Sequence, residues 1–278
     1  MRVIRANAAG ACYGVQRALD MAAQAAAEYD DVKSLGPLIH NPQVVAELAK
    51  RGMAVVDEAA EDLTGTVIIR SHGVGPAARA KLDDLGVTVV DATCPHVLRA
   101  QQAASKLARE HGFVVVIGDP HHPEVDAIRG YAELAGGEVC IVDAPESVPA
   151  KLPAKVGVVV QTTQNRTVFD AIIRALEDIG AELDVKDTIC SATTKRQDAA
   201  RSLASTVDAM VIIGGHNSSN TTRLYEICHE ICPKAYHIES IEELDPADFS
   251  GCATVGITAG ASTPESQIVP VERFLERL

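Results

Sequence analysis

Three cysteines in this 278-residue chain are each followed, 28 residues later, by a polar loop. The pairs with this spacing are Cys12 and His40, Cys94 and His122, and Cys190 and Ser218. Each cysteine stands between a strand-like run and a helix-like run. The repeat therefore restricts the fold to three similar units, each carrying one thiol and one set of polar groups at the same place.

Apolar runs alternate with amphipathic segments throughout the chain. Phe113–Ile117 and Val158–Val160 are typical of strands buried on both faces, as in parallel sheets of α/β units. Gly86 and Gly180 each follow a helix-like segment and suit its C-terminal cap. We predict an α/β fold with three pseudo-equivalent α/β domains and mainly parallel sheets, arranged around a central metal-cluster site. The predicted domains are residues 1–86, 87–180 and 181–278.

The repeat also predicts where the site lies. In the first unit, for example, a helix is expected over Pro42–Lys50 and a strand over Ala54–Asp57. The polar loops all follow strands and precede helices, and ligands of open parallel sheets bind at the carboxyl ends of the strands. Helix N-termini at that edge attract anions.

Composition and charge exclude several classes of function. The chain has no Trp, 3% aromatic residues and a net charge of −13, which disfavours binding to nucleic acid. Met1–Val15 lacks a signal-peptide pattern, and no apolar run approaches the roughly 18 residues that span a bilayer. We expect a cytoplasmic protein with no membrane partner.

Three thiolates meeting at one point would repel one another without a metal. Soft thiolate ligands select zinc, copper(I) or an iron–sulfur cluster. A cluster held by only three cysteines keeps one iron open, whereas electron-transfer clusters usually have four. The remaining cysteines have no equivalents in the repeat and are expected in the core. They are Cys140, Cys228, Cys232 and Cys252.

The polar loops supply hydrogen-bonding side chains at equivalent positions. His40, His72 and His122 stand where imidazoles can donate to phosphate oxygens. The segment Asn217–Asn220 begins a helix, and one of its residues is expected to cap it. Glu124, beside His122, is the best candidate for a general acid in the chain.

Motifs in these loops resemble, in order and over nearly the whole chain, the 4-hydroxy-3-methylbut-2-enyl diphosphate reductases of the non-mevalonate isoprenoid pathway. The motifs are Gly10–Val15, Ile39–Asn41, Ser71–Val74, Asp91–Pro95, His122–Val125, Gln161–Thr163, Thr188–Thr193, Asn217–Asn220 and Thr258–Ser262. Tyr13 departs from the family pattern, which usually has a small residue there.

The resemblance implies an oxidoreductase with a [4Fe–4S] cluster held by Cys12, Cys94 and Cys190. Glu124 would supply protons and Thr162 would orient the substrate hydroxyl. The allylic diphosphate substrate would be bound by His40, His72, His122, Ser218, Ser219, Asn220 and Ser262. Reduced ferredoxin or flavodoxin would supply electrons, and the products would be isopentenyl and dimethylallyl diphosphates.

Three alternatives remain open from the sequence. A cluster-dependent dehydratase also needs an open iron but no electron donor. An iron–sulfur redox sensor or carrier would need a fourth cysteine ligand. A zinc ion held by three cysteines and water would replace the cluster altogether.

Overall fold

A computed structural model describes residues 1–56 and 62–278. Its strands are β1 (Arg2–Arg5), β2 (Val32–Leu35), β3 (Ala54–Val56), β4 (Thr66–Ile69), β5 (Thr88–Asp91), β6 (Phe113–Ile117), β7 (Glu138–Val142), β8 (Lys155–Val160), β9 (Glu182–Lys186), β10 (Ala209–Ile213), β11 (Ala235–Ile238) and β12 (Thr254–Ala259). Its α-helices are α1 (Tyr13–Glu28), α2 (Pro42–Lys50), α3 (Pro76–Leu85), α4 (Pro95–His111), α5 (Pro123–Leu134), α6 (Arg166–Asp178), α7 (Ser191–Ala204), α8 (Ser219–Ile231) and α9 (Glu265–Glu276).

The strands form three sheets of four. The first sheet has the order β3-β2-β4-β5, the second β7-β6-β8-β9 and the third β1-β12-β10-β11. All the pairings in them are parallel. The prediction of three α/β lobes with parallel sheets is therefore confirmed. The predicted end of the third strand, at Asp57, lies outside the described residues.

The chain divides into two compact units. The small unit comprises residues 1–16, 40–44 and 191–278, and it contains the third sheet. The large unit comprises residues 17–39 and 45–190, and it contains the first and second sheets.

The third sheet of the small unit is covered on both faces. Val211 and Ile213 of β10 pack in one cluster with Ile268 of α9. The alternate residues Met210 and Ile212 pack in another cluster with Leu224 of α8. Because successive side chains of a strand point to opposite faces, the continuous apolar run of β10 serves both cores.

In the large unit the second sheet repeats this arrangement. Val114 and Val116 of β6 pack against residues of α4 and α5, and Val115 and Ile117 pack against residues of α6. The prediction that Phe113–Ile117 is a strand buried on both faces is correct, apart from the partly exposed Phe113.

The grouping of strands differs from the predicted order of elements in one respect. We expected the strand before each cysteine to begin a new lobe. Instead β5 pairs with β4, β9 pairs with β8, and β1 pairs with β12. Helix α3 ends at Leu85 with Gly86 as its cap, and β5 begins at Thr88, so this short βαβ connection returns the chain to the adjacent position of the same sheet. The domain boundaries after residues 86 and 180 stay a prediction.

Candidate functional site

An equivalent backbone hydrogen bond occurs in each of the three cysteine loops. In the small unit the Cys12 N–H donates to the Ala261 carbonyl at 3.0 Å. In the large unit Cys94 donates to Ser71 and Cys190 donates to Thr162, each at 2.9 Å. The acceptors Ala261, Ser71 and Thr162 follow strands β12, β4 and β8, respectively, so the backbone reproduces the threefold pattern that the sequence suggested.

Each of these cysteines directly precedes a helix. Helices α1, α4 and α7 begin at the residue after Cys12, Cys94 and Cys190, respectively. The three cysteines are partly exposed and none is in a disulfide. The thiolate is the form of cysteine that binds metals.

In the large unit, Glu124 lies buried against Thr162. Glu124 is only 1% exposed. Its two carboxylate oxygens accept the Thr162 N–H at 2.7 Å and the Thr162 hydroxyl at 2.9 Å. Burial raises the pKa of Glu124 to about 7, against the opposing effect of these two hydrogen bonds. Glu124 can therefore hold or release a proton near neutral pH.

Thr162 joins this carboxyl group to a cysteine loop. Its N–H and hydroxyl bind Glu124, and its carbonyl accepts the N–H of Cys190. All three residues lie in the large unit.

His122 caps helix α5, which carries Glu124. Its Nδ1 accepts the Glu124 N–H at 3.1 Å. The neutral ring consequently carries its proton on Nε2, where it can be donated. The ring of His72 meets that of His122 nearly perpendicularly, with 5.4 Å between centroids. The structure thus brings His72, His122, Glu124 and Thr162 together in the large unit.

In the small unit, the loop of His40 meets two other predicted loops. The Ser262 hydroxyl donates to the His40 carbonyl at 3.0 Å. A Cβ on Gly215, in the loop before Ser218, would stand 3.0 Å from the same carbonyl oxygen, so this close approach requires glycine. His40, Ser218 and Ser262 therefore lie on adjoining loops.

Ser218 caps helix α8, as expected of one residue in this segment. Its hydroxyl accepts the Thr221 N–H at 3.4 Å. Ser219, the first residue of the helix, is partly exposed. Asn220 is 4% exposed, and neither its amide nitrogen nor its amide oxygen has a hydrogen-bond partner among the described residues. A buried amide without partners is costly, so it points to a bound ligand.

Asn41 has no role predicted from the sequence. Its amide nitrogen donates to the Ser262 carbonyl at 2.9 Å, and its amide oxygen accepts the Val44 N–H at 3.2 Å. Asn41 therefore holds the His40 loop to the Ser262 loop. Its place beside His40 in one of the motifs was the available signal.

Of the four other cysteines, Cys228 and Cys232 are buried in the core of the small unit, as predicted. Burial raises the pKa of Cys228 to about 12, so its thiol stays protonated. Cys140 and Cys252, which were also expected in the core, are instead partly exposed and pack at the margins of apolar clusters.

No helix in the described part of the chain combines the length and the apolar character needed to cross a bilayer.

The chain has three α/β lobes with parallel sheets, and each repeat has a cysteine loop at the start of a helix. These features define a class of α/β proteins with a repeated site. Within that class the chain belongs to the LytB family, whose model, described as "LytB protein", matches residues 3–276. The family predicted from the motifs is confirmed.

Two relatives from Geobacter carry the same name. Proteins of Geobacter metallireducens and Geobacter sulfurreducens, named 4-hydroxy-3-methylbut-2-enyl diphosphate reductase, are 45% and 46% identical to the chain. Both alignments cover 100% of this chain and 97% of the relative.

One solved structure agrees with this family, and a second agrees with the fold. A structure of (E)-4-hydroxy-3-methyl-but-2-enyl diphosphate reductase is 42% identical, with a TM-score of 0.73 and full coverage of both chains. A reductase structure from Plasmodium falciparum has a TM-score of 0.89 at 24% identity, covers 100% of this chain and 87% of its own, and supports the fold.

Proposed function

We propose that this chain reductively removes the hydroxyl group of 4-hydroxy-3-methylbut-2-enyl diphosphate, giving isopentenyl and dimethylallyl diphosphates. The observation that carries the proposal is the position of Thr162, which binds the carboxylate of Glu124 and accepts the N–H of Cys190. This arrangement couples a proton donor to a cysteine loop. The names of the relatives support the same reaction.

The donor set fits an iron–sulfur cluster with an open iron. Cys12, Cys94 and Cys190 would hold it, since they occupy the same backbone position in the three repeats. Cys228 and Cys232 lie in an apolar core and do not fit a fourth ligand. When bound, the cluster would supply single electrons and Lewis acidity at its open iron.

The diphosphate would be bound by the histidines and by the residues around helix α8. His122 can donate from Nε2, because Nδ1 already accepts the Glu124 N–H. The unpartnered amide of Asn220, with His40, His72, Ser218, Ser219 and Ser262, would complete the binding site. The N-terminus of α8 favours negative charge beside Ser218 and Asn220.

Glu124 would act as the general acid. Its pKa near 7 allows it to stay protonated at neutral pH and to release its proton to the departing hydroxyl group. The Thr162 hydroxyl, 2.9 Å from the carboxylate, would orient that hydroxyl group. Overall, the allylic alcohol takes up two electrons and two protons, loses its hydroxyl group as one water, and keeps its diphosphate group.

A reduced ferredoxin or flavodoxin in the cytoplasm is the proposed electron donor. The chain contains no nicotinamide- or flavin-binding motif of its own, so the electrons must arrive from another carrier.

The test is anaerobic purification with iron and sulfide analysis, followed by turnover with reduced methyl viologen. We expect a brown protein with about four irons per chain and conversion of the alcohol only when reductant is present. A colourless protein with stoichiometric zinc would overturn the proposal. Turnover without reductant would indicate a dehydratase instead.

A further inference from the structure

Two arginines reach the backbone just ahead of two of the cysteines. In the small unit, Arg196 of helix α7 donates from Nη2 to the Gly10 carbonyl at 2.7 Å and from Nη1 to the Ala192 carbonyl at 3.0 Å. In the large unit, Arg17 donates from Nη1 to the Thr93 carbonyl at 3.2 Å. Gly10 and Thr93 stand two residues and one residue before Cys12 and Cys94.

Both carbonyls belong to segments whose N–H groups are held by other partners. The Cys12 and Cys94 N–H groups bind carbonyls, and the Thr93 N–H binds the Asp91 carboxylate at 2.9 Å. Gly10 has a φ of +98°, and a Cβ there would come within 3.1 Å of Ile268 Cδ1. Only glycine presents its carbonyl to Arg196 in this way. The guanidinium groups thus complete the hydrogen bonding of each segment.

The two arginines both carry a guanidinium group but differ in burial. Arg196 is 5% exposed, whereas Arg17 is partly exposed. A desolvated positive charge interacts strongly with nearby negative charge. The segments that these arginines contact lead directly to residues proposed to carry thiolates.

We propose that Arg17 and Arg196 are positioning residues for the cysteine loops and that their charge raises the reduction potential of the bound cluster. This inference rests on the proposed function. Groups that hydrogen-bond around metal ligands orient those ligands, and local charge is one determinant of cluster potential. Reduction adds an electron, so a neighbouring cation stabilises the reduced form more than the oxidised form.

The test compares Arg196→Met and Arg17→Met with a matched control. Arg99 follows Cys94 by five residues, as Arg17 follows Cys12, but it is exposed. Each protein is purified anaerobically, its iron and sulfide are measured, and its cluster is titrated by electron paramagnetic resonance. At a fixed solution potential we expect the ratio of reduced to oxidised cluster to fall at least tenfold in Arg196→Met and Arg17→Met. This fall equals a shift of the reduction potential by about 59 mV for one electron. Arg99→Met should match the wild type.

Arg196→Lys separates charge from geometry. Lysine keeps the charge but cannot bridge two carbonyls with a planar fork, so we expect a near wild-type potential with lower cluster content. A lower melting temperature in Arg196→Met, with unchanged cluster content and potential, would show a purely structural role and overturn the inference. If Arg196→Met does not fold, Arg17→Met and Arg196→Lys decide by the same measurements. A wild-type protein without any cluster would instead refute the proposed function.

Discussion

At the scale of single residues, Glu124 is the group with the most specific chemical prediction. Glu124→Gln keeps the size of the side chain but removes the transferable proton. We expect turnover to fall by about 10²- to 10⁴-fold, the usual contribution of a general acid, while iron and sulfide content stays at the wild-type level. The measurement is initial rate with reduced methyl viologen beside cluster analysis.

The control for this substitution lies on the same helix. Glu133 of α5 has a side chain that is 55% exposed and 3.9 Å from Arg129. Exposed pairs of this kind contribute little to stability, so Glu133→Gln should retain full activity. Wild-type turnover in Glu124→Gln would exclude Glu124 as the acid.

The elevated pKa of Glu124 also predicts a pH dependence. Because burial raises this pKa from 4.5 to about 7, the carboxyl group is protonated below pH 7 and loses its proton above it. If the protonated form is required, kcat/KM should be level below pH 7 and fall about tenfold per pH unit above it, since kcat/KM reports groups of the free enzyme.

The residual activity of Glu124→Gln provides the comparison. It should lack the fall near pH 7, because glutamine does not titrate in this range. A fall at the same pH in both proteins would assign the titration to another group, such as one of the histidines or the substrate diphosphate.

At the scale of elements, the loop after β4 illustrates how packing fixes a site residue. Gly73 follows His72 and has a φ of +72°. A Cβ there would stand 2.6 Å from the amide nitrogen of Gln101 and 3.1 Å from Cγ2 of Thr93. Gly73→Ala should therefore destabilise the protein by about 2–4 kcal/mol, combining backbone strain with overpacking, and should raise the KM by displacing His72.

A second glycine in the large unit isolates the backbone effect. Gly86, which ends helix α3, has a φ of +65° but no atom within 4 Å of a Cβ. Gly86→Ala should cost only about 1–2 kcal/mol and leave the KM unchanged. The two variants are compared by denaturant unfolding and steady-state kinetics. Equal losses of stability would show that the close contacts of the added Cβ with Gln101 and Thr93 do not contribute to the destabilisation by Gly73→Ala.

The loops at the strand-to-helix junctions could be predicted from the sequence, but the long-range contacts that hold these loops in place could not. The cysteine and polar loops were predictable, because strand-to-helix junctions and a constant 28-residue spacing are visible along the chain. The contact of Arg196 with Gly10 joins residues 186 positions apart. Nothing local marks such a pair, since an arginine in a helix is more commonly solvated. The buried position of Glu124 likewise depends on Thr162, 38 residues away.

At the scale of the whole molecule, the sheets show what a repeat cannot reveal. The repeat predicted three parallel α/β lobes, and three parallel sheets are present. It did not predict correctly which sheet β1, β5 and β9 join. A strand between two helices can pair on either side, and its sequence pattern is the same in both cases. The N-terminal strand is the extreme case, because its partner β12 lies near the other end of the chain.

The pairing of β1 with β12 gives a prediction for the small unit. Here Ala6 donates its N–H to Ile257 at 2.8 Å, Arg2 donates to Ala253 at 2.9 Å, and Arg5 forms a two-point ion pair with Glu265 of α9. A variant lacking residues 2–5 would leave β12 as an unpaired edge strand. Its amides should then exchange with deuterium faster, and α9, which packs on the same sheet, should exchange faster with it.

Hydrogen exchange followed by mass spectrometry distinguishes this sheet from the others in one experiment. Peptides from β6 and β8 of the second sheet are the internal control and should keep their wild-type exchange, because their ladder does not include β1. Had the N-terminal strand belonged to the first lobe, the loss of protection would appear in β2 and β4 instead. Faster exchange in those strands, with β12 unchanged, would contradict the observed pairing, because deleting a strand first exposes the backbone groups of its own neighbour.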